Sequence, residues 1–112
     1  MRRFYHKKLI RDKIPQLIEA NKGKYKVRIM KEGEFKRELK KKLIEEAKEI
    51  IKAKKDELSK ELADVLELVK SIAESENIDF KLIEKKQKQR RKERGAFKKR
   101  LFLTWSDKPA GK

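Results

Sequence analysis

Apolar residues recur at helical spacing through the middle of the chain. Phe35, Leu39, Leu43, Ala47 and Ile50 fall three or four positions apart and predict a helix over about residues 33–53. Leu58, Leu62, Val65, Leu66, Val69 and Ile72 predict a second over about 56–75. With Asp56 as its N-cap, two or three residues remain for the turn, and so short a link makes the helices antiparallel neighbours. A first helix is expected over 8–22, with Asp12 capping, Pro15 in the first turn, Leu17 and Ile18 on its apolar side and Gly23 ending it. Residues 25–30 alternate with period two, as a short strand or extended segment does. After a polar loop at 74–79, Asp79 is the expected cap of a helix from Phe80 to about Arg94, stopped by Gly95. That helix is apolar only near its start, at Leu82 and Ile83, and is almost wholly basic from Lys85 onward. Residues 100–105 alternate weakly and 105–112 read as a loose tail. The pattern predicts an all-α fold in a single domain over 1–112, with one or two short extended segments.

Composition adds an oligomer to this picture. Of the 112 residues, 48% are charged and 37% hydrophobic, so a monomer would have a thin core. Covering the remaining apolar faces against another subunit predicts a homodimer or homotetramer. Cysteine is absent, which excludes disulfides and thiolate metal sites. No apolar run approaches the ~20 residues that span a bilayer. No apolar stretch follows the basic N-terminus as in a signal peptide, so a cytoplasmic protein is expected.

Charge divides the chain into three. Lys and Arg number 35 against 19 Asp and Glu, for a net +16. Residues 1–30 and 81–112 are strongly basic, whereas residues 31–80 carry a slight acidic excess. An acidic centre between basic ends suits a polyphosphate, whose oxygens take both metal ions and cationic side chains. The alternative is a basic helical nucleic-acid-binding protein without catalysis, its acids being solvated helix surface.

The acids themselves are patterned. Glu46 and Glu49 lie i,i+3, as do Glu61 and Asp64, so each pair shares a helix face. Each pair falls on a flank of its apolar stripe: Glu46 about 60° and Glu49 about 120° from Leu43, Glu61 about 100° and Asp64 about 160° from Leu62. The pairs are equidistant from Lys55, so a hairpin turning there brings all four level. Four converging carboxylates are the hard oxygen ligands that Mg²⁺ or Mn²⁺ takes. Glu45 points nearly opposite the stripe. There is no P-loop, no G-x-G-x-x-G and no zinc spacing.

The order Glu45-Glu46-x-x-Glu49, turn, Glu61-x-x-Asp64 resembles the metal signature of the all-α nucleoside-triphosphate pyrophosphatases, the superfamily of MazG proteins, dimeric dUTPases and phosphoribosyl-ATP pyrophosphatase. Two more stretches resemble a small MazG-like house-cleaning branch: Lys8-Leu9-Ile10-Arg11-Asp12-Lys13-Ile14-Pro15, and Arg94-Gly95-Ala96-Phe97 followed by Lys99-Arg100-Leu101. Ala96 departs from the branch, which usually has a second glycine there, and the link between the acidic pairs is compact. The resemblance implies a MazG-type helix-hairpin fold resembling a four-helix bundle. It implies Glu46, Glu49, Glu61 and Asp64 as Mg²⁺ ligands, with Glu45 and Glu46 as catalytic candidates. The implied reaction cleaves a nucleoside triphosphate, of a non-canonical kind in a house-cleaning enzyme, into the monophosphate and pyrophosphate. Carboxylate-held Mg²⁺ would orient the attacking water and offset charge on the leaving pyrophosphate. Arg11 and Lys13, with Arg91, Lys92 and Arg94 at the end of the last helix, are the candidates for holding phosphate oxygens.

Overall fold

A computed structural model describes residues 2–111. The fold is all-α: α1 (Ile14–Ala20), α2 (Glu32–Lys52), α3 (Lys55–Ser75) and α4 (Phe80–Arg94) follow one another, and no strand occurs among the described residues. The chain separates into two compact units, Met1–Ile78 and Asp79–Lys112.

In the first unit, α2 and α3 form the expected antiparallel hairpin, linked by Ala53 and Lys54 alone. Both linking residues are extended, with φ −66°, ψ 139° and φ −76°, ψ 161°, which reverses the chain in the shortest span. Asp56 is not the cap: α3 starts one residue earlier, Lys54 holds the cap position without a side-chain bond, and Asp56 and Glu57 lie in the first turn, where the helix dipole favours acids. At the open end, Lys36 Nζ bridges Glu32 of α2 at 3.0 Å and Glu76 just past α3 at 3.5 Å. The core of the described chain is small, with only Leu39, Leu68 and Ala73 buried.

The inward face of α3 differs from the expected stripe. Leu58, Glu61, Val65, Leu68 and Ile72 are buried or half-buried, whereas Leu62 and Leu66 are exposed. On an ideal wheel the centre of this packed face lies about 80° from Leu62 and about 120° from Leu66, and Glu61 falls on it. The repeat of three and four that holds these residues is the seam of two closely packed helices. Leu62 and Leu66 belong to the apolar periodicity of the helix but lie off its packed face, because a carboxylate takes a seam position.

Helix ends explain the other differences. α1 is shorter than expected, with Lys13 and not Asp12 at its cap and Pro15 in its first turn. It closes through paired backbone bonds: Lys22 N–H donates to Glu19 O at 2.9 Å and Gly23 N–H to Ile18 O at 2.8 Å, with Lys22 left-handed at φ 60°. α3 closes the same way through Asn77 (φ 56°) and Ile78, whose N–H donates to Ala73 O at 2.9 Å. Residues 25–30 do not form a strand. Arg28 there makes a paired contact with Glu34 in the first turn of α2, at 2.8 and 2.7 Å.

In the second unit, Asp79 caps α4 by accepting from the Lys81 N–H at 2.9 Å. Gly95 ends the helix at φ 85°, a value that disfavours a side chain, and donates its N–H to Arg91 O at 2.8 Å. α4 has no buried residue, and residues 100–105 form no strand.

Candidate metal centre

The hairpin register decides which acids meet. Glu46 lies six residues before the end of α2 at Lys52, and Glu61 six after the start of α3 at Lys55. They come level on facing helices, both half-buried. Asp64 follows Glu61 by one turn on the outer edge of the same side. Glu46, Glu61 and Asp64 each place a carboxylate oxygen within 4.8 Å of the other two. Glu49 lies three residues from the end of α2, level with Leu58, and remains exposed outside this trio. The turn centre sits between Ala53 and Lys54 and not at Lys55, and that offset pairs Glu46 with Glu61 and leaves Glu49 nearer the turn.

Crowding of negative charge marks the centre. The carboxyl of Glu46 is held above its ordinary range, first by desolvation, then by the charge of Asp64, and further by Glu61 and Glu49, with Lys42 opposing. Each member of the trio has a cation beside it. Lys42 acts on Glu46 from one helical turn before it. Lys60 Nζ lies 3.7 Å from Glu61, whose side chain is only 13% exposed. Arg11 Nη2 donates to Asp64 Oδ1 at 2.9 Å from across 53 residues of sequence. Lys42 and Lys60 were absent from the sequence expectation, although the i,i+4 spacing of Lys42 and Glu46 signals the first.

The remaining candidates lie elsewhere. Glu45 is exposed and lines a groove of about 260 Å³ with His6, Lys7, Lys8, Leu9, Glu38, Lys41 and Lys42. Lys42 thus borders both the groove and the acid trio. Lys13 is an exposed cap residue of α1. Arg91, Lys92 and Arg94 occupy the exposed last turn of α4 in the second unit, where cations complement the helix dipole.

Three carboxylate oxygens on two rigid helices, with no sulfur or imidazole among them, fit a hard divalent cation such as Mg²⁺. A family comparison identifies the chain: the model described as phosphoribosyl-ATP pyrophosphohydrolase matches residues 3–101. The chain belongs to the phosphoribosyl-ATP pyrophosphohydrolase family. That family is part of the MazG-like all-α nucleoside-triphosphate pyrophosphatase superfamily, and its members hydrolyse acid anhydrides. Neither the curated proteins nor the solved structures gave a match. The matched span takes in the Arg11 segment, the acid trio and the Arg94-Gly95-Ala96-Phe97 stretch. Among the described residues, no helix is long and apolar enough to cross a membrane.

Proposed function

We propose that this protein is a Mg²⁺-dependent, cytoplasmic pyrophosphohydrolase that splits the bond between the α- and β-phosphates of a nucleoside triphosphate. Water adds to one phosphorus, the bridging oxygen leaves with the other, and the products are the monophosphate, pyrophosphate and a proton. The observation that carries this reading is the convergence of Glu46, Glu61 and Asp64 in a chain of this family. Glu46, Glu61 and Asp64 are the residues that would hold Mg²⁺ or Mn²⁺, with Glu49 one turn away on the same helix as Glu46; the ion would supply Lewis acidity and orient a water. Glu45 is the candidate base, bordering the groove. Arg11 and Lys13, with Lys42, are assigned to the phosphate chain; Arg91, Lys92 and Arg94, in the second unit, are the further basic candidates that the resemblance names. The nucleotide is of the house-cleaning kind, a non-canonical triphosphate; the family's description adds phosphoribosyl-ATP, which carries the same bond. The working form is a homodimer or homotetramer.

A pyrophosphate-release screen tests this across canonical nucleotides, modified nucleotides and phosphoribosyl-ATP, with and without Mg²⁺. Release of pyrophosphate from at least one substrate, and only with the divalent ion, is the expected result. Release of orthophosphate alone, or no release from any of them, overturns it. The exposed basic α4 favours one other reading, nucleic-acid binding without catalysis. That reading requires binding that falls steeply with salt and needs no divalent ion.

A further inference from the structure

The three cations beside the acid trio differ in how they are tethered. Lys42 and Lys60 belong to the same helices as the carboxylates they face and cannot move away as a body. Arg11 lies in the segment before α1, where no described residue is in a helix or strand. Its side chain is 59% exposed, and it touches Asp64 through one nitrogen on one oxygen, without the paired geometry that Arg28 makes with Glu34. Lys60 makes the looser contact, at 3.7 Å with its side chain 76% exposed, but of the three only Arg11 is carried by a segment outside the two helices. It is also aimed at the member of the trio nearest the outer edge.

We propose that Arg11 is the resident counter-cation of the metal-free centre, displaced from Asp64 when a divalent cation enters and thereby freed to hold the phosphate chain of the substrate. This rests on the metal-centre reading above. A dication and a guanidinium compete for the same small cluster of negative charge, and the dication gains more from three carboxylates than one guanidinium gains from one. A guanidinium forced off Asp64 remains on a short, irregular tether beside the centre, where the triphosphate brings new oxygens for its fork of donors. Metal binding and the position of the N-terminal segment are then linked, each opposing the other until substrate arrives.

Competition fixes the sign of the test. Mg²⁺ is titrated calorimetrically into the full-length metal-free protein, its Arg11→Ala variant and its Arg11→Lys variant, and each is melted with and without saturating Mg²⁺. Arg11→Ala binds Mg²⁺ about two- to fivefold more tightly, the range that an exposed ion pair carries. It melts lower than the parent without Mg²⁺ and level with it when Mg²⁺ is saturating. Arg11→Lys, which keeps the charge, falls between. Inorganic tripolyphosphate added with Mg²⁺ binds more weakly to Arg11→Ala than to the parent. Equal or weaker Mg²⁺ binding by Arg11→Ala overturns the inference, because an arginine that merely orients Asp64 for the metal would raise affinity when present. A parent protein that binds no Mg²⁺ at millimolar concentration overturns the metal-centre reading itself, and this inference with it.

Discussion

At the scale of single residues, the centre is built by placing Glu61 where a leucine would otherwise pack. Its neighbours on the inward face, Leu58, Val65 and Leu68, hold its backbone while its carboxylate faces Glu46 and Asp64. Glu61→Gln keeps the size and nearly the helix propensity of the side chain and removes one negative charge. Pyrophosphate release at saturating Mg²⁺ should fall by about 100-fold or more, beyond the ~10–100-fold that changing an outer partner of a metal ligand costs. The metal-free variant should melt no lower than the parent, because repulsion in the trio is relieved. Near-normal turnover would remove Glu61 from the ligand set. Glu46 predicts a pH dependence. Its folded-state pKa lies above the ordinary 4.5, so between these values the folded chain holds the proton more often than the unfolded chain. Its contribution to stability is full below 4.5 and is lost as pH rises through the raised value. Glu34, lowered by Arg28, acts oppositely, its contribution being present at neutral pH and lost on acidification. The two separate in a difference experiment on metal-free protein. Glu46→Gln should melt higher than the parent at pH 7, and the gap should close as pH falls towards 4.5. A gap independent of pH would show that Glu46 does not titrate differently on folding. The acids of the trio were legible in the sequence because E-x-x-E and E-x-x-D spacing survives any helix register. That Glu49 stands apart was not, because it depends on a shift of less than two residues in where the turn is centred.

At the scale of elements, the hairpin carries nearly all the tertiary order of the first unit. Leu39 of α2 is 3% exposed and is one of the three buried residues of the described chain. Leu39→Ala should cost about 2–4 kcal/mol, the transfer and cavity cost of a buried leucine. For a chain of this length that corresponds to a melting temperature lower by ~10–25 °C, measured by loss of helical ellipticity. A drop under ~3 °C would mean that the hairpin is held together elsewhere. The two long helices were readable from their periodicity although Asp56 does not cap α3, and α4 was readable from its ends, Asp79 and Gly95, which stand at the positions their chemistry favours. α1 was less so. Asp12 is a better cap by type than Lys13, but paired backbone bonds after Ala20 close the helix early, and Pro15 is compatible with either start. The alternation at 25–30 is genuine in the sequence, yet a strand needs a partner for its backbone groups, and no other strand exists among the described residues.

At the scale of the molecule, the hairpin exposes too much apolar surface for a finished protein. Ile44 and Ile51 lie two turns apart on α2, and Leu62 and Leu66 one turn apart on α3; all four are exposed, from 47% at Leu66 to 85% at Ile51. Each pair falls on one side of its helix, as an apolar stripe does when it has something to pack against. Three buried residues among those described make a small core against the ordering cost of a chain of 112 residues. A second copy of the chain supplies the missing partner most simply, because two hairpins packed face to face make a four-helix bundle with one shared core. The net charge of +16 opposes such association. Its excess, however, lies in residues 1–30 and 81–112, while residues 31–80, which form the hairpin, carry nearly balanced charge. Sedimentation equilibrium at micromolar concentration should give a dimer or tetramer, and raising the salt should tighten it by screening the basic ends. Ile51→Lys combined with Leu66→Lys places two charges on these stripes without touching the acid trio, and should shift the protein to a monomer of lower melting temperature. An oligomer that covers these stripes would make association a condition of stability, so the parent should also melt at higher temperature as its concentration rises. A monomeric parent whose melting temperature ignores both concentration and these substitutions would show that each stripe is an ordinary solvated surface and that the small core suffices.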